Sequence, residues 1–221
     1  MPSRQRGKFI TFEGGDGVGK TTQMEKLAAY LRKRGIDLIT TREPGGTALG
    51  EKLRAVLLNS RTTGLSPLAE LGMMFADRAQ HIDEMILPAL MRGQWVLCDR
   101  FTDSSEAYQG GGRELGTEIV LQLHRCLCRN LKPDLTVLML SDLAASIKRA
   151  QRRNIKHSRS SRGDENRFEQ ETRAFHKRVL DAYKSIADRE PNRVVRVNAR
   201  QEKDKVHKKI VGFVEDRLLR D

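Results

Sequence analysis

The chain has 221 residues, 38% hydrophobic and 32% charged, with 41 Lys and Arg against 29 Asp and Glu for a formal net charge of +12. That length suits one well-buried α/β domain over residues 1–221 and is short for two. No apolar run approaches the roughly 20 residues of a membrane helix, and the basic start Met-Pro-Ser-Arg-Gln-Arg-Gly-Lys lacks the apolar segment of a secretory signal, so a cytoplasmic protein without membrane contact is expected.

Lys8 to Phe12 is β-branched and aromatic and reads as a first strand, while Met24, Leu27, Ala28 and Leu31 follow at helical spacing. Between them runs Gly14-Gly15-Asp16-Gly17-Val18-Gly19-Lys20-Thr21-Thr22, a complete phosphate-binding loop in its required strand-to-helix setting. The glycines let the backbone curl so that successive N–H groups face phosphate oxygens. Lys20 reaches the β and γ phosphates of ATP, and the Thr21 hydroxyl ligates magnesium. Asp37 to Thr41 is a second strand, stopped by Arg42-Glu43-Pro44-Gly45-Gly46, and a helix follows from Thr47 to Leu58. Pro67 opens a long helical stretch towards Arg92 that should bend at Pro88. Trp95 to Cys98 is a buried third strand ending at Asp99, Leu135 to Leu140 a fourth with Asp142 capping the next helix, and Val194 to Val197 a fifth before a terminal amphipathic helix. This alternation predicts an α/β fold, a P-loop three-layer sandwich with a five-stranded parallel sheet wrapped by helices, and ligands at the carboxyl ends of the strands.

Asp99-Arg100-Phe101-Thr102-Asp103-Ser104-Ser105-Glu106-Ala107-Tyr108-Gln109-Gly110-Gly111-Gly112 follows the third strand directly. Asp99 can organise magnesium's hydration shell there, and Arg100 can hold a second phosphate bidentately. An Asp-Arg pair alone also reads as a salt bridge at a strand end; its order behind the phosphate loop sharpens the chemical reading. Cys98, Cys126 and Cys128 carry no metal spacing and read as reduced packing residues. Much of the positive excess lies between Lys148 and Arg162, which fits a local polyanion site better than a broad nucleic-acid face, so nucleic acid is not expected as a partner.

These motifs resemble the thymidylate kinase family. The resemblance spans nearly the whole chain and rests on residues 9–22, Thr-Arg-Glu-Pro-Gly-Gly-Thr at 41–47, Phe-Ala-Asp-Arg-Ala-Gln-His at 75–81, the run 99–112, Pro133-Asp134-Leu135-Thr136 and Arg167-Phe168-Glu169. It implies ATP- and magnesium-dependent phosphorylation of dTMP to dTDP for dTTP synthesis, by a homodimer packed through helices. By the same resemblance Gly14 to Thr22 and Arg149 bind ATP, and Asp16 faces the acceptor sugar and the reacting phosphates. Arg100 clamps the dTMP phosphate, Arg78 donates to the thymine carbonyl at position 4, Tyr108 lies against the deoxyribose, and Ser104, Ser105 and Gln109 complete the pocket. An Asx turn for Asp16 and a packing role for Tyr108 are the plainer alternatives.

Where the family places an aromatic ring four residues before the base-reading arginine, this chain has Met74, with Phe75 one step later. Residues 74 and 78 share a helix face, whereas Phe75 falls with Leu68, Ala79, Ile82 and Ile86 on a stripe that reads as core. Met74 over the base and Phe75 in the core is therefore the favoured arrangement. Gly17 stands where one branch of the family carries a catalytic arginine, so the chain resembles the branch that supplies it from a mobile lid, here about residues 150–166. Arg149, Arg153, Arg159 and Arg162 are the lid candidates, and a solvated loop is the alternative from composition. Another nucleoside monophosphate kinase, or a nucleic-acid-dependent ATPase suggested by the pI of about 10.0, are the rival functions.

Overall fold

The structure is a computed structural model that describes residues 6–142 and 165–220. Strands β1 (Phe9–Glu13), β2 (Leu38–Arg42), β3 (Trp95–Asp99), β4 (Leu135–Leu140) and β5 (Val194–Asn198) form one parallel sheet in the order β2-β3-β1-β4-β5. Central β1 pairs with β3 on one side and β4 on the other, setting Phe12 opposite both Asp99 and Val137. Both faces of the sheet are covered, which is why β1 is buried along its whole length.

One face packs α1 (Lys20–Lys33) and α8 (Lys203–Val214), whose Leu27, Leu31, Ile210 and Val214 meet Ile10, Phe12 and Val137. The other carries α3 (Pro67–His81), α4 (Leu87–Met91) and α6 (Thr117–Leu127), where Phe75, Ile82, Leu90 and Val120 meet Val96 and Cys98. A third cluster joins α2 (Ala48–Leu58) to α7 (Arg173–Arg189) through Leu57, Met74, Tyr108, Phe168, Phe175 and Tyr183. Local chemistry sets the helix starts: the Thr47 and Ser66 side chains accept from Gly50 N and Ala69 N to cap α2 and α3.

Two expectations need correction and a third takes a more specific form. The long helix departs from α geometry over Ile82–Ile86, a π-helical turn in which Leu87 N donates to Ile82 O. The irregularity occupies the turn immediately before Pro88, whose ring crowds the carbonyl four residues back and supplies no N–H, so the expected disturbance at Pro88 takes the form of a π-helical turn. The buried stripe of α3 begins at Leu71; Leu68, in the first turn, is 58% exposed. Cys98 and Cys128 are buried packing residues, but Cys126 is exposed. The segment after β3 is helical: α5 (Thr102–Ser105) runs into a π-helical stretch over Glu106–Gly112.

A polar seam crosses the sheet interior. Thr11 Oγ1 lies 2.7 Å from Thr136 Oγ1, which also accepts from Arg193 Nη1 at 2.7 Å. Thr136→Val should therefore destabilise the chain by about 1–3 kcal/mol through the unpaired Thr11 hydroxyl. Urea denaturation followed by Trp95 fluorescence measures this, and an unchanged midpoint would contradict it.

Candidate active site

The carboxyl edge of the sheet gathers the phosphate loop from β1, residues 43–46 from β2 and residues 100–112 from β3. In the loop, Gly14 has φ 129°, and a Cβ there would lie 2.3 Å from Met139 O; no other residue type fits. Gly19, also left-handed, turns the chain into α1, so the first N–H groups of that helix face the loop. Lys20 Nζ donates to Gly14 O at 3.1 Å and Gly15 O at 3.0 Å. Burial, reinforced by the Arg100 charge, lowers its pKa to about 8, with Asp99, Asp16 and Glu13 opposing. Thr21 Oγ1 donates to Asp99 Oδ2 at 3.1 Å, while Asp99 Oδ1 is buried with no hydrogen-bond partner among the described residues. Two oxygen donors side by side, one carboxylate oxygen unclaimed, fit a hard divalent cation such as magnesium.

Arg100 is the hub beside this loop. Its backbone is left-handed, φ 72°, and its N–H donates to Phe12 O at 3.0 Å. Nη2 donates to Asp16 Oδ1 at 2.6 Å and to Tyr108 OH at 3.3 Å; Nη1 donates to Ser104 Oγ at 3.1 Å and Tyr183 OH at 3.3 Å. The Tyr108 hydroxyl donates in turn to Asp16 Oδ2 at 3.2 Å. Asp16, Arg100, Ser104 and Tyr108 thus meet at one point. Behind them Glu13, fully buried at the end of β1, accepts from Phe101 N at 2.7 Å, Ser104 Oγ at 2.6 Å and Tyr183 OH at 2.9 Å. Burial and then the Asp103 charge push its pKa up to about 7, against Arg100 and the Ser104 and Phe101 hydrogen bonds.

Arg78, 2% exposed, sits farther along the same edge. Nε donates to Glu43 Oε2 at 2.8 Å, and Nη2 to Phe101 O at 3.1 Å and Ser105 Oγ at 3.0 Å. Nη1 is buried without a partner among the described residues. The guanidinium lies 4.8 Å from the Phe75 ring centroid; Phe75 is in the core beneath it, while Met74 lies in the cluster with Tyr108. Gln109 Nε2 donates to Glu70 Oε1 at 2.8 Å. Glu43, His81 and Cys98 bring ligand-type atoms within 4.8 Å of one another, yet Glu43 and His81 are spent on Arg78, Thr41 and each other.

Glu13, Glu43, Glu70 and Tyr183 have no role in the sequence reading. Glu13 carried a signal, an acidic residue closing an otherwise apolar strand; Tyr183 carried none, because it lies 83 positions from Arg100. Arg149, Arg153, Arg159 and Arg162, with nearly all of the expected lid, lie outside the described residues.

A family profile described as thymidylate kinase matches residues 12–210. The chain is 47% identical over 195 residues to a thymidylate kinase of Teredinibacter turnerae, covering 88% of this chain and 91% of that one. It is 47% identical over 211 residues to a thymidylate kinase of a Synechococcus species, covering 96% and 97%. Among solved structures it is similar to a thymidylate kinase of Ehrlichia chaffeensis, with TM-score 0.75 and 32% identity over 95% of this chain and 99% of that one.

The depressed pKa of Lys20 has a measurable consequence. Nucleotide phosphates beside it return the pKa towards its ordinary value, so ADP binding at about pH 8.5 should take up a fraction of a proton. Calorimetry in two buffers of different ionisation enthalpy reads that uptake; a binding enthalpy independent of the buffer would contradict it.

Proposed function

Because the chain belongs to the thymidylate kinase family, we infer that it phosphorylates dTMP to dTDP with ATP as phosphoryl donor. The observation that carries the acceptor assignment is the open Nη1 of Arg78. A buried guanidinium nitrogen without an acceptor is costly until a ligand supplies one. The thymine carbonyl at position 4 supplies an acceptor, whereas cytosine presents an amino group there and sets donor against donor. Arg100 takes the acceptor phosphate, which replaces Asp16 as partner of Nη2. Asp16 is then released towards the sugar, with Tyr108 beside it.

Thr21 and Asp99 would hold magnesium, which would supply positive charge against the developing charge of the transferring group. The nucleophile is an oxygen of a phosphate monoester whose second pKa is about 6, so it is already deprotonated near neutral pH. No general base is required. The chain's own contribution is in-line positioning and charge neutralisation by the loop N–H groups, Lys20 and Arg100. Leu49 and Val56 on α2, with Leu68 on α3, leave apolar surface exposed that a second copy would cover, which supports a homodimer packed through helices. Among the described residues no helix is long and apolar enough to cross a membrane.

A coupled assay of ADP production with ATP, magnesium and a panel of nucleoside monophosphates tests this function. We expect dTMP to be the best acceptor and dCMP to be at least about a hundredfold poorer in kcat/KM. Arg78→Met should lower kcat/KM for dTMP by about ten- to a hundredfold while leaving the KM for ATP in place. Preference for another monophosphate, or an unaffected Arg78→Met enzyme, would overturn the assignment.

A further inference from the structure

The known chemistry of phosphoryl transfer assigns nothing to Glu13, yet its geometry is specific. A carboxylate is costly to bury unless its lone pairs are occupied, and at the end of an apolar strand Val or Leu would pack without that cost. Three donors from two distant segments converge on it: Phe101 N–H on Oε1, and the Ser104 and Tyr183 hydroxyls on Oε2. A hydroxyl has one proton, and an ionised carboxylate is the strongest acceptor within reach of both. The two hydroxyl oxygens are also 2.9 Å apart, but the carboxylate outcompetes a neighbouring hydroxyl for their protons, so Ser104 and Tyr183 turn lone pairs towards Arg100, whose Nη1 donates to each. The Phe101 N–H bond meanwhile pins the residue that follows Arg100, whose φ of 72° is a conformation a side-chain-bearing residue holds only when its surroundings impose it.

We propose that Glu13 is a positioning residue for the acceptor: through the Phe101 N–H and the Ser104 and Tyr183 hydroxyls it aims Arg100 at the phosphate monoester. The proposal rests on the reading that Arg100 binds that phosphate. The polarity of the relay is its essential feature. Glu13→Gln keeps the size and can still accept from Phe101 N–H, but its amide nitrogen donates towards the two hydroxyls. Each hydroxyl then spends a lone pair on the amide and its own proton loses the carboxylate that oriented it, so the two oxygens are no longer aimed at Arg100 Nη1.

The test compares dTMP with thymidine, which lacks the phosphate, by titration calorimetry at about pH 8, where a carboxylate displaced to near neutrality is ionised. Glu13→Gln should weaken dTMP by about tenfold or more and leave thymidine within about twofold. Tyr183→Phe, which removes one hydroxyl and keeps the ring, should weaken dTMP by about three- to fivefold with the same selectivity, and it serves if Glu13→Gln does not fold. Arg100→Ala is the reference for the underlying reading. If it leaves dTMP affinity intact, Arg100 does not hold the phosphate and both readings fall. If Arg100→Ala loses dTMP selectively while the folded Glu13→Gln and Tyr183→Phe chains bind dTMP normally, or lose dTMP and thymidine alike, only the positioning role is overturned.

Discussion

The salt bridge between Arg78 and Glu43, 2.8 Å long and almost wholly buried, is the contact on which the proposed acceptor pocket depends. Charges removed from water are tolerated only with matched partners, and removing one partner of such a pair typically costs about 3–5 kcal/mol. Arg78 comes from α3, Glu43 from the end of β2, and the carbonyl and hydroxyl of Phe101 and Ser105 from the segment after β3. One guanidinium therefore ties three elements together at the same edge of the sheet. The rigidity of that tie lets Nη1 remain open, because a guanidinium free to turn would satisfy all of its donors internally.

A second arginine repeats the logic beside the phosphate loop. Arg100 is held by hydroxyls on Nη1 and keeps Nη2 on Asp16 and Tyr108, partners that a phosphate can displace. Lys20 likewise rests on the carbonyls of Gly14 and Gly15, with its pKa lowered to about 8 by burial. The edge thus concentrates cationic groups whose present partners are weaker than the phosphates they would meet. Parallel strands bring the loops that follow them to one side of the sheet, and this is what gathers residues so distant in sequence.

Features governed by local rules were legible in the sequence. All five strands lie within one residue of their expected bounds, because a short apolar run between turn residues leaves little choice. The phosphate loop was legible for the same reason, since its spacing and its strand-helix setting are both local. Helix phase separates Phe75, in the core, from Met74, beside Tyr108. What the sequence left hidden depends on distant partners. Leu68 is exposed because the apolar stripe starts a turn later, and the form of the disturbance before Pro88, a π-helical turn at Ile82–Ile86, is not set by the proline's position alone. The helical run 102–112 carries glycines that argue against a helix, yet Gly112 packs where a Cβ would meet the Phe175 ring at 2.5 Å. Glu13 and Tyr183 acquire meaning only through each other, 170 positions apart.

The most direct test is a crystal structure of the complex with dTMP, read at Arg78. Nη1 should lie about 3 Å from the pyrimidine O4, with the Glu43 contact unchanged and the phosphate on Arg100. A base seated with O4 turned away from Arg78, and Nη1 still without an acceptor, would contradict it.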